Sequence, residues 1–331
     1  MLCIIDTSTE PCFNLAAEEY LLKGFSQPVF RLWRNDDAVI VGRYQNTLAE
    51  INAGYASRHG IKVVRRLTGG GAVYHDPGNL NYTFIEQKVK GEDSAAMFRR
   101  FTAPILDAIR SLGIEASLEG RNDLLIEGRK FSGNAICLYR NRVLQHGTLL
   151  FSTSEQKLSA VLKEKDERFR GKAVDSNRRG VTNISSHLKR KMDIEEFTGY
   201  LAGYIRSHAS LGEELVPYSY TEEDIRAICH LRDTRYSRDE WNFGKSPDYR
   251  FSNRRRFNGG TVEVCFNVAG GKIAELSISG DYFFTRPTEE FCALLTGTPH
   301  DFDSIRKKTG SVSLGEYFFN ISPEELTELF F

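Results

Sequence analysis

The chain has 331 residues with ordinary apolar (40%) and charged (27%) fractions, enough for a large core and, by length, about two domains. Lysine plus arginine equals aspartate plus glutamate, 44 each, so no global field draws it toward nucleic acid or an anionic membrane. No apolar run approaches the roughly 20 residues of a membrane span. The opening MLCIIDTSTEPCFN lacks a secretory signal's basic flank and long apolar stretch, and six scattered cysteines form no C-x-x-C pair, so a cytoplasmic protein without disulfide scaffold or zinc site is expected.

From Asn14, NLAAEEYLLKG spaces its apolar residues as a helix and stops at Gly24. VFRLWR and AVIVG have strand composition, and a helix is expected from Leu48 to His59. IKVVRR then forms a strand whose end delivers Arg65 and Arg66 to the three glycines of RRLTGGGAVYHD. NLNYTFIE alternates, with Leu80, Tyr82 and Phe84 on one face and Asn81, Thr83 and Ile85 on the other, so the glycines join two strands. Ser94 opens a helix with Phe98, Phe101, Ile105, Ile109 and Leu112 on one stripe, and Pro104 should kink it or cost it one hydrogen bond. IEASL, DLLIE and KFSGNAICLYR are short strands, the last two turning at Glu127-Gly128, and VLQHGTLLF is another. An antiparallel meander with helices on one side is an α+β pattern, not βαβ repetition.

Lys163 to Arg179 carries many basic residues and little periodicity, which is expected of a solvated loop or of a lid. A helix from Ile194 follows, then another opening with the capping signature at Thr221. WNFGKSPDYRFSNRRRFNGG breaks the periodicity and places a boundary near Lys245 to Asp248, giving units 1–246 and 247–331. In the second unit TVEVCFNV and KIAELSIS form a hairpin, with helices near Glu289, Phe302 and Glu324; Cys265 and Cys292, within apolar runs, are expected as buried thiols.

Three segments carry candidate chemistry. The glycine segment is neither a P-loop nor G-x-G-x-x-G; a hairpin connection would need one glycine, whereas three beside Arg66, His75 and Asp76 make main-chain N–H groups free to close on a phosphate or carboxylate. In GRNDLLIEGRKFSGNA, Asp123 and Lys130 open successive strands, so a carboxylate suited to Mg²⁺ and an ammonium suited to an anionic oxygen meet across a hairpin. By spacing alone a surface ion pair across the hairpin, common and worth little, is the better reading. Gly133 points to the close approach of a ligand or another backbone. His146, in QHGTLLF, reads by itself as a structural histidine, and Cys137 between apolar neighbours as a buried thiol.

These motifs, in this order and at these distances, resemble the lipoate–protein ligases: RRLTGGGAVYHD, GNLNYTF, GRNDLLIEGRKFSGNA, QHGTLL and GVTNIS, with FNLAAEEYLL, LWRNDDAVIVGRYQN and WNFG around them. The resemblance covers essentially the whole chain. It implies a large domain of mixed, mainly antiparallel sheets with flanking helices (biotin/lipoate ligase-like) and a small α+β accessory domain. It also implies a reaction in which lipoate and Mg·ATP give lipoyl-AMP, and the lipoyl group then passes to a lysine of a lipoyl domain of a 2-oxoacid dehydrogenase E2 subunit or of glycine-cleavage H protein.

Carried over by motif, Arg66, Gly71, Ala72, Val73, Tyr74, Asn122 and Lys130 would bind ATP, and Lys130, Arg66, Gly70 and His146 lipoate. Asp123 would hold the metal, Lys130 would be catalytic, and the Lys163–Thr182 loop would fold over the adenylate. A monomer is expected on the same ground. Biotin–protein ligases differ in carrying a G-R-G-R-type loop where this chain has TGGGAVYHD. Two rivals remain: an octanoyl- or lipoyl-transferase working through a cysteine thioester, for which Cys137 is the cysteine nearest the lysine motif, and a carrier-binding protein without catalysis.

Overall fold

The computed structural model describes residues 1–120, 122–163, 168–171, 180–207, 214–282 and 284–331. Strand β1 (Leu2–Ile5) leads into α1 (Pro11–Gly24), where Glu10 caps the amides of Cys12 and Phe13. Next come β2 (Val29–Trp33) and β3 (Ala38–Val41). The expected single helix from Leu48 to His59 is two, α2 (Thr47–Glu50) and α3 (Ala53–Arg58). Asn52 interrupts it: its side chain accepts from the Tyr55 amide and starts a new helix, while Ile51 stays extended and bridges to Leu162.

After β4 (Lys62–Arg65) and β5 (Val73–His75) come β6 (Asn79–Gln87) and α4 (Ser94–Ser111), which continues through a buried Pro104. The meander is β7 (Ala116–Glu119), β8 (Asp123–Ile126), β9 (Arg129–Tyr139) and β10 (Arg142–Leu150), and Glu127 and Gly128 both take positive φ at the β8–β9 turn. Helix α5 (Glu155–Val161), not anticipated from sequence, is capped by Ser154. The chain continues through β11 (Phe169–Gly171), α6 (Ile194–Ser207), β12 (Val216–Pro217), α7 (Glu222–Leu231) and α8 (Asp239–Asn242). The last part holds β13 (Tyr249–Phe257), β14 (Gly260–Ala269), β15 (Lys272–Tyr282), α9 (Thr288–Leu295), α10 (Phe302–Thr309) and α11 (Pro323–Leu329).

An eight-stranded sheet runs β12-β1-β2-β6-β10-β9-β8-β7, parallel only at β12/β1/β2. One face packs Leu80, Tyr82 and Phe84 against the apolar stripes of α4 and α6. The other carries Arg31, Asn81 and Thr83, buried and polar, toward α1. A second sheet, β4-β3-β5, puts β4 and β5 on opposite sides of β3, so the glycine segment crosses the end of β3 and is not a hairpin.

The third sheet, β11-β13-β14-β15, corrects two expectations. RFSNRRRF is a strand: Tyr249, Phe251 and Phe257 face the core while Arg250, Arg254 and Arg256 face solvent, an alternation hidden by the arginine run. The charge-rich stretch supplies β11, pairing antiparallel with β13, and the rest of that stretch, 164–167 and 172–179, lies outside the described residues. Cys265 and Cys292 are half-exposed, not buried. Val262, Val264 and Phe266 take the core face of β14, and Cys265 takes the other, where Arg250 donates to its sulfur.

Candidate active site

Successive residues of a strand face opposite ways, and at the end of β4 this separates two arginines. Arg65, fully buried, donates to the carbonyls of Gly42, Arg43, Gln45, Trp241 and Asn242 and to the hydroxyls of Thr47 and Ser246, tying the strand to the segment that leads into β13. Arg66 faces a cavity of about 330 Å³. Its Nη2 donates to the carbonyls of Gly69 (2.7 Å) and Gly71 (2.8 Å), Nη1 to Ile40 and Nε to the Thr68 hydroxyl. Burial pushes its pKa down to about 10, partly offset by Glu18 and Glu50.

The guanidinium thus folds the glycine segment from inside, in addition to lining the cavity. Only Gly70 of the three has positive φ (+88°), and its carbonyl would lie 2.0 Å from a Cβ at residue 42, so the turn needs glycine on both sides of the contact. Nothing lies within 4 Å of where a Cβ on Gly69 would sit.

The hairpin β8–β9 forms the facing wall. Lys130 Nζ lies 2.8 Å from Asp123 Oδ1, both side chains about one-fifth exposed, and both residues line the cavity. The pair anticipated across this hairpin is therefore in the cavity wall rather than on an outer surface. Gly133, opposite Asp123 in register, leaves the room: a Cβ there would meet Lys130 Cε and Nζ at 3.0 Å, so the close approach is by the lysine side chain. Lys130 is also paired through its main chain to Gly180 and Thr182, which brings Val181 into the wall. Asn122 donates to the Asn134 carbonyl at 2.6 Å and receives two bonds back, holding the turn before Asp123.

His146 is a satisfied histidine that also faces the cavity. Its Nδ1 is 2.9 Å from Glu18 Oε2 and its Nε2 2.8 Å from the Thr68 hydroxyl, which in turn accepts from Arg66. Burial would raise the Glu18 carboxyl, but His146, Thr83 and Arg31 together hold it below the usual range.

The residues carried over by motif line one cavity: Arg66, Gly70, Gly71, Ala72, Val73, Tyr74, Asn122, Asp123, Lys130 and His146, whereas Asp76 beside the glycine segment does not. Tyr74 contributes main chain only, since its ring is in the core and its hydroxyl donates to Asp37. Sequence reasoning did not identify the apolar wall, made by Leu15, Trp33, Ile40, Leu150, Leu158 and Leu162. Their pattern is that of any core residue, and no sequence signal separates a cavity wall from a filled core. Cys137 is half-buried, absent from the cavity lining, and burial raises its thiol pKa. A cavity of this size with an apolar arm, an ammonium and bare main-chain amides suits a small amphipathic acid beside a phosphate.

Comparison with known proteins agrees. Residues 10–206 match the lipoyl protein ligase A/B catalytic domain, and residues 246–330 the bacterial lipoate protein ligase C-terminus. The lipoate-protein ligase LplJ of Bacillus subtilis is 38% identical over 97% of both chains. Among solved structures, lipoate-protein ligase A bound with ATP superposes with a TM-score of 0.63 at 28% identity, covering 74% of this chain and 98% of that one. The bi-partite lipoate protein ligase of Thermoplasma acidophilum, solved in a study of that ligase and its E2 lipoyl domain, gives 0.64 at 28% identity, covering 74% and 96%. A likeness that runs nearly end to end in both chains, and through both halves of this one, makes the chain a member of the lipoate–protein ligase family.

Proposed function

We infer that the protein is an ATP-dependent ligase that converts lipoate to lipoyl-AMP and transfers the lipoyl group to a lysine of a lipoyl domain. The observation that carries this is the Asp123–Lys130 pair in one cavity with the Arg66-folded glycine segment. In the first step a lipoate carboxylate oxygen attacks the α-phosphorus, and the bond to pyrophosphate breaks. Two anions must approach, and the Lys130 ammonium and main-chain N–H groups of the Gly71–Tyr74 segment offset their repulsion. In the second step a neutral lysine amine attacks the acyl carbon, Lys130 stabilises the oxyanion, the acyl C–O bond to AMP breaks, and the amine's surplus proton leaves with the AMP phosphate. The apolar wall holds the lipoyl tail and keeps water from the anhydride.

Asp123 is the one carboxylate lining the cavity among the described residues, and no cluster of three or more metal-ligating side chains occurs among them. That donor set fits Mg²⁺, which is commonly held by one or two carboxylates plus substrate phosphates. Bound there, the ion would neutralise phosphate charge. We assign residues 1–246 to catalysis and 247–331 to an accessory unit. The family likeness extends the proposed acceptors to glycine-cleavage H protein, and the reading includes a monomer in the cytoplasm. No helix among the described residues is long and apolar enough to cross a membrane.

Incubation with Mg²⁺, ATP, lipoate and an apo lipoyl domain, read by intact mass, should show one lipoyl addition that disappears without ATP; no addition, or addition independent of ATP, overturns the ligase reading. A cysteine-dependent transfer would need a reactive thiol in the cavity, and Cys137 lies outside its lining with a raised pKa. Cys137→Ser is therefore expected to keep the wild-type rate within about twofold, the scale of a near-neutral substitution. Complete inactivation in the same mass assay would favour a thioester mechanism.

A further inference from the structure

His75 ends β5 on the same strand face as Val73, and both line the cavity. Its ring is 3% exposed and edge-on to Trp33 at 6.0 Å. Burial first, and then the neighbouring His146 and Arg66, push its pKa down to about 3, so the imidazole is neutral and carries one proton.

The side chains behind it decide which nitrogen has that proton. Arginine only donates. Arg31 Nη2 donates to Asn14 Oδ1 at 2.5 Å and to Asp6 Oδ2 at 2.7 Å, which fixes the Asn14 oxygen. Asn14 Nδ2 is then the donor, its two hydrogens shared among the carbonyls of Ser8 and Arg34 at 2.8 Å and Asn35 Oδ1 at 2.9 Å, where a second amide nitrogen would set donor against donor. Asn35 has only its Nδ2 left for His75, 3.0 Å from Nδ1. Nδ1 must accept, and the proton is on Nε2. That Nε2–H is buried with no hydrogen-bond partner among the described residues, as is Nδ2 of Asn81 in the same cavity wall. A buried donor without an acceptor is costly, and such groups in native chains commonly serve a ligand.

We propose that His75 is a substrate-binding residue whose Nε2–H, held protonated by the Arg31–Asn14–Asn35 relay, donates to an anionic oxygen of the bound acid or nucleotide, with Asn35 as its positioning residue. The assignment rests on the ligase reading above. The opposite tautomer would present a lone pair to the same oxygen and repel it.

Histidine-selective ¹⁵N spectra of the full chain should show His75 with Nε2 protonated and Nδ1 unprotonated near neutral pH. Titration with lipoate, then with ATP, should shift the Nε2–H signal in the arm that supplies the oxygen. A ring protonated at Nδ1, or an Nε2–H moved by neither ligand, overturns the proposal. Asn35→Asp accepts from Nδ1 and reverses the tautomer; KM for that ligand should rise about 10- to 100-fold, with kcat changed less. His75→Phe should match it, and His75→Gln, which restores a donor near Nε2, should recover part of the loss. Equal losses in the Phe and Gln variants, or a reversed tautomer with wild-type KM, are contrary results; should Asn35→Asp fail to fold, the wild-type titration decides. A wild-type chain that makes no lipoyl-AMP defeats the ligase reading and the ligand assignment together, whereas an active one with an unmoved Nε2–H defeats the assignment alone.

Discussion

Lys130→Ala is expected to abolish ATP–pyrophosphate exchange in the presence of lipoate, with a loss of roughly 10³-fold or more, while the protein remains folded. Loss of a single preorganised donor to a developing charge costs about 10²–10³. Here the same ammonium also offsets the meeting of carboxylate and phosphate, so the loss should be at the upper end or beyond. Stability should hardly change: the partner is Asp123, the pair is partly open to solvent, and such pairs contribute about 0–1 kcal/mol. Transfer from pre-made lipoyl-AMP should fall too, because the oxyanion of the second step loses its cation. Asp123→Asn should separate the steps, losing exchange but keeping most of that transfer, since a metal held for phosphate charge acts in the first step only. Normal exchange in Lys130→Ala, measured with an unchanged melting curve, would refute the assignment of the cavity.

Arg65 should give the largest effect on stability. It is fully buried, and its donors go to five main-chain carbonyls and two hydroxyls on both sides of the junction into β13. Burial lowers its pKa to about 10, with Arg43 and Arg66 adding to the shift, yet it stays charged at neutral pH. The return bonds are also specific: Trp241 Nε1 donates to the Arg65 carbonyl, and Asn242 Oδ1 accepts from its amide. Arg65→Met keeps the volume and leaves several buried carbonyls without donors, at about 1–3 kcal/mol each before relaxation and water entry. A net loss of roughly 3–5 kcal/mol follows, or a fall in Tm of the order of 10 °C for a chain of this size. Arg65→Lys should fall between, since one ammonium cannot reach the carbonyls that a planar fork satisfies. An unchanged Tm in Arg65→Met would mean that the junction is held by its apolar contacts.

Between them the two arginines of RRLTGGG explain why the motif is doubled. One folds the glycine turn against the cavity, and its neighbour, one strand position away, welds the same strand to the segment entering the small domain.

Periodicity alone determined a good deal of this protein: α1, α4, α6 and α7 from apolar spacing and caps, β6 from its alternation, and the β8–β9 turn from Glu127-Gly128. The residue types of the glycine segment pointed to an anion site, and the chemistry of the Asp123/Lys130 hairpin was legible only through the likeness of the whole motif set to the lipoate–protein ligases. What only the tertiary structure decided depends on partners distant in sequence. The arginine run conceals β13, whose inward residues find a core only once β14 lies beside it, and β11 is a strand only because β13 offers an edge. Spacing could not tell a surface ion pair from a cavity wall at Lys130, nor assign Arg65 to the junction and Arg66 to the glycines. Nor could it assign the proton on His75, which depends on Arg31 and Asn14 from other elements. Local pattern reports which face of an element is apolar or charged, and the fold decides what that face meets.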